Sequence, residues 1–564
     1  MTPKATKRTK AAEDPDSPSR FCLGNARRNS LLALFSSLPS VLVLFILQFA
    51  PAPLFAAEPT APATPRRGGT LHLWFPNDFS SLDPAINYGT GISLVRLQFR
   101  GLLDYDDQGQ IIADQAQDWN VSPDGKTYTF HLKPGIKFAH GRDVEAEDYV
   151  FTLERILNPK TRSSGESFYR DILGAQEFVG GKTPRVTGLR APDSTTFVVE
   201  LTQPAYTFRN AMAMTFAAVV PRELVQKYGD DFRSNLTGSG AYRVREWQRG
   251  AHWQFERNRH YQGTDAWVDG VDILIGGDSA MATMMLERGE LEFVGADSVQ
   301  AVQFRRTPDR SAWLQPDKGM NTSYVFLNTE LKPFDDARVR RAMNHAVNRQ
   351  RILQIAGGFG TVAEGIVPPS MPWSNPDRPH FDYDPGKARA LLHEAGYPKG
   401  FKTQFWYEAQ SPGTERVALV LQENFRNIGV TVELRGVSML AFAEKSTTRG
   451  QVPCGLSSWS QDYPDPSNWL DGPYSSDRIT ESGSLNHTFY NEPVVDRLLA
   501  TANRSLDGAE RLRVYRSAET RILQDTPCIP LIHPRFLGLR HPRLHGGSPD
   551  SVWGWRYENM WLEN

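Results

Sequence analysis

The chain has 564 residues, 40% of them hydrophobic and 23% charged, with a formal net charge of −1. These are globular proportions, which exclude a disordered chain and a polytopic membrane protein, and the near-zero charge gives no electrostatic reason for a nucleic-acid partner. A single core rarely grows past about 250–300 residues, so two or three domains are expected.

The chain opens with a polar, basic stretch over residues 1–30 that ends near Arg27-Arg28, followed by an apolar run from Leu31 to Ala50. This order reads as an export signal, and Phe55-Ala56-Ala57-Glu58 allows removal of residues 1–57. An apolar run of about 20 residues is also long enough for a retained membrane anchor. Either way the bulk of the chain faces outside the cytoplasm. Arg27-Arg28 before Leu31-Leu32 hints at twin-arginine export, whereas Cys22 precedes the apolar run and is misplaced for a lipid anchor. Beyond the leader stand two cysteines, Cys454 and Cys528, which form a disulfide in an oxidising compartment or are two small buried residues.

After a Pro- and Ala-rich linker, Thr70 to Trp74 alternates as a strand should. Thr127 to Leu132 alternates more plainly, and Ser122-Pro123-Asp124-Gly125 before it is the turn chemistry of a hairpin. Asp143 to Leu157 carries Val150, Leu153 and Leu157 at helical spacing and is stopped by Asn158-Pro159. Thr196 to Leu201, Ala241 to Trp247, His252 to Glu256 and Val271 to Ile275 read as further strands.

The second half is richer in helices. Asp335 or Asp336 can cap a helix whose stripe is Val339, Ala342, Met343, Ala346 and Val347. Asp384-Pro385 is an N-cap with proline at the first helical position, and Gly396 closes that helix. Thr414 to Ile428 presents Val417, Leu421, Phe425 and Ile428 on one side, Gly429 ends it, and Val430 to Leu434 follows as a strand. This helix-to-strand succession belongs to an α/β domain.

The chemistry-bearing motifs are sparse. Thr237-Gly238-Ser239-Gly240 lacks the spacing of a nucleophile elbow, and Gly277-Asp278-Ser279, although preceded by a strand, has no His-containing partner motif. His393-Glu394 lacks the second histidine of a zinc-protease helix, and Gly357-Gly358-Phe359-Gly360 lacks the Lys-Ser/Thr of a phosphate loop. Asp104, Asp106 and Asp107 sit in a polar turn. No catalytic residue, metal site or cofactor is assigned.

Several segments, taken together and in order, resemble the peptide/nickel/oligopeptide solute-binding proteins of ABC importers, family 5. They are Gly68-Gly69-Thr70-Leu71, Ser81-Leu82-Asp83-Pro84 and Gly101-Leu102-Leu103, then Trp119 with Ser122 to Tyr128, and Leu132 to Phe138. Ala146 to Phe151, Gly238 to Tyr242, Glu256-Arg257-Asn258, Pro333 to Arg340, Ala388 to Gly396 and Asp462-Tyr463-Pro464-Asp465-Pro466 continue the series. One departure is Glu145, where the family usually places a Ser or Thr cap.

The resemblance implies an α/β, two-lobed periplasmic-binding-protein-like fold with an extra subdomain in the first lobe and a hinge between lobes. Its expected division is a signal or anchor over 1–57, a linker over 58–67, a first lobe of 66–105, 190–318 and 527–564, an inserted subdomain at 106–189 and a second lobe at 319–526. Ligand binding between the lobes would favour closure. The resemblance further implies that Asp462 holds a peptide α-ammonium, because a buried carboxylate needs a charged partner. Trp459 would supply an apolar wall, Ser460 and Tyr463 flank the same segment, and Tyr88 and Thr90 would line the opposite side. The implied partners are a small peptide and an inner-membrane ABC permease, with the protein acting as a monomer. Leu456 stands where some oligopeptide binders have a basic residue for the peptide carboxylate, so dipeptides, longer peptides and non-peptide solutes (opines, sugars, nickel complexes, haem) stay open. A non-transport peptide receptor would share fold and site, and a secreted hydrolase would need Ser279 activated.

Overall fold

In the computed structural model the described residues are 64–87, 91–371, 373, 375–409, 412–547, 549–550, 552 and 554–563. The leader and the Tyr88 and Thr90 positions lie outside them. Among the described residues two large mixed sheets organise the chain. A seven-stranded sheet runs Leu314–Pro316, Leu537–Arg540, Phe293–Ala296, Thr70–Phe75, Gly270–Ile275, His252–Arg257, Tyr242–Gln248. Its centre is parallel, with Thr70–Phe75 flanked by Gly270–Ile275 and Phe293–Ala296. A six-stranded sheet runs Gly360–Val362, Cys528–Pro534, Asn321–Leu327, Cys454–Ser460, Lys402–Glu408, Thr431–Val437.

A smaller four-stranded sheet holds the expected hairpin, with Ala116–Val121 antiparallel to Thr127–Leu132, and adds Thr196–Glu200 and Leu189–Arg190. The alternation seen in sequence becomes burial: Tyr128, Phe130 and Leu132 enter a core with Tyr149, Val150 and Leu153 of the helix Ala146–Leu157. That helix starts without a Ser or Thr cap. Asp148 instead reaches back, its carboxylate accepting from the Glu145 backbone N–H at 2.9 Å.

The anticipated caps operate as such. Asp336 accepts from Arg338 N at 2.7 Å and Asp384 from Lys387 N at 2.9 Å. Gly396 and Gly429, at φ 90° and 87°, supply the left-handed residues that end their helices. Along Asn321–Leu327, Val325 and Leu327 enter one core while Tyr324 and Phe326 enter the other, so the six-stranded sheet is covered on both faces.

The two large sheets are joined by two adjacent crossings. The chain leaves the first sheet at Pro316 and enters the second at Asn321; it returns between Pro534 and Leu537. The segment Cys528–Pro534, expected with the first lobe, is hydrogen-bonded into the six-stranded sheet, so the return crossing falls at Arg535-Phe536. The crossings are tied together by Asp317 N to Phe536 O at 2.8 Å and Phe536 N to Asp317 Oδ1 at 3.0 Å.

Both cysteines are free. Cys454 pairs with Leu327 and Cys528 with Phe326, on the two strands flanking Asn321–Leu327, and they enter opposite cores. Two strand spacings of about 4.8 Å put them beyond the roughly 7 Å reach of a disulfide. Of the two readings, the buried pair holds. Among the described residues no helix is long and apolar enough to cross a membrane.

Candidate ligand-binding site

The strand Cys454–Ser460 is a central member of the six-stranded sheet, and its ladder with Asn321–Leu327 ends on Thr322 opposite Trp459 and Asn321 opposite Ser460. The ladder is extended by Gln461 N to Met320 O at 3.2 Å, so the segment leaving the strand is bonded to the first crossing. Asp462 and Tyr463 follow, and Asp465 then caps the helix Pro466–Tyr474, accepting from Ser467 N at 2.9 Å. The sequence folds this way because Asp-Pro gives an N-cap with proline at the first helical position, where no N–H is needed.

Asn468, one turn into that helix, organises the segment. Its Oδ1 accepts from Asp462 N at 3.0 Å and Trp459 Nε1 at 3.2 Å, while its Nδ2 donates to Asp462 Oδ2 at 2.7 Å. A buried amide thus fixes both the half-buried Asp462 carboxylate and the indole beside it. A Cβ on Gly472 would stand 3.3 Å from the indole, so glycine lets the ring lie close against the helix. Ser460 turns its hydroxyl to Asn321 Oδ1.

Tyr463 reaches the other way. Its hydroxyl shares a 3.2 Å hydrogen bond with Ser467, and its ring packs edge-on against Phe168, 6.2 Å between centroids. Phe168 and the neighbouring Phe216 belong to the core of the four-stranded sheet, so Tyr463 touches the part of the chain opposite its own sheet. A second contact of this kind is Tyr206. Arg209, from its own side, lies 3.9 Å from its ring centroid, and Arg511, from the helix Gly508–Asp525, lies 4.7 Å away.

Arg511 is 1% exposed and makes a bidentate pair with Asp465 at 2.6 and 2.5 Å. Burial disfavours its charge, but the Asp465 carboxylate outweighs that and holds it well above the usual range. Asp471, on the Pro466–Tyr474 helix, accepts from Asn503 Nδ2 at 2.6 Å and Tyr515 OH at 3.3 Å, and burial pushes it up to about 7. The segment therefore carries three carboxylates held in different ways: Asp465 paired with Arg511, Asp471 bound by neutral donors, and Asp462 held by Asn468.

Bacterial extracellular solute-binding proteins, family 5, match residues 110–481 by their middle region. The chain belongs to this family. It is a solute-binding protein with the two-lobed fold. Glutathione-binding protein GsiB of Escherichia coli K12 is 28% identical over 501 residues, covering 86% of this chain and 93% of that protein. The same protein of Salmonella typhimurium is 28% identical over 482 residues, covering 83% and 90%. Among solved structures, the periplasmic binding protein DppA from Helicobacter pylori in complex with the peptide STSA superposes with a TM-score of 0.76 at 25% identity, covering 88% of this chain and 99% of that one. Clavulanic acid biosynthesis oligopeptide binding protein 2 gives 0.81 at 24% identity over 88% of this chain and 96% of that one, a likeness of fold.

Of the residues singled out in sequence, the structure brings Asp462, Trp459, Ser460 and Tyr463 together at one strand end. Leu456 is 7% exposed and packed in the core below them. Asn468 and Arg511 were not anticipated. Asn468 carries a weak signal, standing three residues after an Asp-Pro cap. Arg511 carries none, lying 46 residues from its partner. Ser279 opens a helix capped by Asp278 and donates to Asp297 at 3.1 Å.

Proposed function

We propose that the protein is the extracytoplasmic receptor of an ABC importer and captures small peptides between its lobes, with Asp462 anchoring the peptide α-ammonium. The observation that carries this reading is the Asn468 clamp: Asp462 is held through its backbone N–H by Asn468 Oδ1 and through its carboxylate by Asn468 Nδ2, beside an indole wall, next to the crossing between lobes. A fixed anion of this kind pre-organises a charge-assisted bond to a cation at little ordering cost. Trp459 forms the wall and Ser460 and Tyr463 flank the anchor, while Tyr88 and Thr90, which lie outside the described residues, are assigned to the same site by the family resemblance. The names of the relatives, glutathione-binding and peptide-binding, support a short amine-bearing peptide as cargo.

In this reading the first lobe is 66–105, 202–318 and 536–563, with 106–201 inserted because Thr196–Glu200 pairs with Thr127–Leu132, and the second lobe is 319–535, because the last strand of the second sheet runs to Pro534. Closure brings Tyr206 to Arg511 and Phe168 to Tyr463, so the closed state is stabilised by contacts beside the site as well as by ligand. The leader exports the chain, the mature protein works as a monomer, its partner is the permease, and it catalyses no reaction.

The test is a thermal-shift panel of di-, tri- and longer peptides, glutathione and non-peptide solutes against wild type and Asp462→Asn. A ligand that binds only the native state raises the melting temperature by mass action. Loss of one charge-assisted bond weakens binding by about 10- to 100-fold. Peptide shifts in wild type that shrink accordingly in the variant support the anchor. Equal shifts in both place the ammonium elsewhere, and shifts by sugars or opines alone overturn the peptide assignment.

A further inference from the structure

A cavity away from the strand end that carries Asp462 is built around a charge without a counter-ion. It has a volume of about 60 Å³ and is lined by Asn344, Arg349, Glu364, His380, Phe381 and Leu523, among others. It lies at the edge of the six-stranded sheet, where Pro530 interrupts the ladder: Ser323 pairs with Ile532 but Tyr324 with Pro530, so Leu531 is skipped. The irregularity frees the Pro530 carbonyl, which accepts from Arg349 Nε at 2.7 Å.

The other acceptors of Arg349 are also neutral. Its Nη1 reaches Phe381 O at 3.4 Å and its Nη2 reaches Asn344 Oδ1. Among the described residues no carboxylate comes within 4.0 Å of this guanidinium, and burial pulls it down to about 10. Asn344 is fully buried, and its amide nitrogen, on the same group that receives Arg349, has no hydrogen-bond partner. A buried donor of this kind is costly when left unmet. The remaining charged groups at the cavity are already paired. Glu364 binds Arg378 at 2.5 Å and sits below the usual carboxylate range because of it, and His380 is exposed and 3.0 Å from Asp382.

We propose that this cavity is a binding site for a small monovalent anion, a halide or the carboxylate of a one- or two-carbon acid, held by Arg349 and the Asn344 amide. The anion supplies the missing counter-charge and accepts the unmet N–H together, which neither water nor a cation does. The cavity has room for a few heavy atoms and excludes peptides and nucleotides. The site is independent of the peptide reading: it shares no residue with the Asp462 segment.

The test uses the purified protein at constant ionic strength, with gluconate as the large inert anion. The melting temperature is followed as chloride, and separately formate, replaces gluconate from 0 to roughly 100 mM. Crystals grown without halide are soaked in bromide for anomalous diffraction. The expected result is a saturable rise in melting temperature with chloride, formate or both, reduced in Arg349→Gln, and an anomalous bromide peak beside Arg349 and Asn344 if halide is the ligand. A formate response with no bromide peak assigns the site to short carboxylates. Superimposable melting curves in all three salts overturn the proposal, as does a bromide peak without any saturable effect in solution.

Discussion

The pair Arg511–Asp465 offers the sharpest test of how the candidate site is held. Asp465→Asn keeps the side-chain volume and leaves a good N-cap for the helix Pro466–Tyr474, since Asn caps about as well as Asp. What it removes is the charge facing Arg511. The guanidinium is 1% exposed and its Nε already has no partner. The rings of Tyr206 and Tyr515, at 4.7 and 4.9 Å, and the Asp471 carboxylate, which does not touch it, would remain as its electrostatic support. Cation–π contacts and the Asp471 charge are present in both forms, so they do not compensate. Breaking one side of a buried pair costs about 3–5 kcal/mol, and the single substitution should lower the stability measured by urea unfolding by that amount. Asp465→Asn with Arg511→Met removes both charges and should recover most of the loss, a coupling of at least about 2 kcal/mol. A single-variant cost under about 1 kcal/mol, or a double variant equal to the sum of the singles, would refute the argument that charge pairing fixes the start of this helix.

Tyr206→Ala should weaken peptide binding about 3- to 30-fold and raise the ligand-free radius of gyration in small-angle scattering, because the ring bridges Arg209 and Arg511; Tyr206→Phe keeps the ring and should match wild type. Asp317, which ties the two crossings, is pushed up to about 6 by burial from an ordinary 3.8, against the lowering effect of its two N–H donors and of Arg535. Its native pKa is raised, so its stabilising contribution is complete below about pH 4 and is lost as pH rises through about 6, by up to about 3 kcal/mol. Comparing Asp317→Asn with wild type should isolate that term: the stability difference between them should change across pH 4–7, and a pH-independent difference would contradict it. Thiol titration in denaturant should find both Cys454 and Cys528 reactive, with a melting temperature unchanged by reductant; a protected pair would overturn the strand assignment.

The sequence by itself determined the local elements and the family. Alternation at Thr127 to Leu132, the Asp384-Pro385 cap and the terminating glycines act through neighbours a few residues away, so their physics is written in adjacent letters. It also placed Trp459 to Tyr463 side by side at one strand end, because they are contiguous. The tertiary structure alone decided how that site is held. Asn468 acts through a side chain that the helix turns back onto the strand end, and Arg511 arrives from a helix 46 residues away in sequence. Which sheet receives Cys528–Pro534, and so where the chain crosses back, depends on pairing with Asn321–Leu327 about two hundred residues earlier. Two cysteines on strands either side of that one cannot meet, whatever their spacing in the chain. Strand order and the facing of side chains are set by long-range pairing and core burial, and these leave no periodic mark in the sequence.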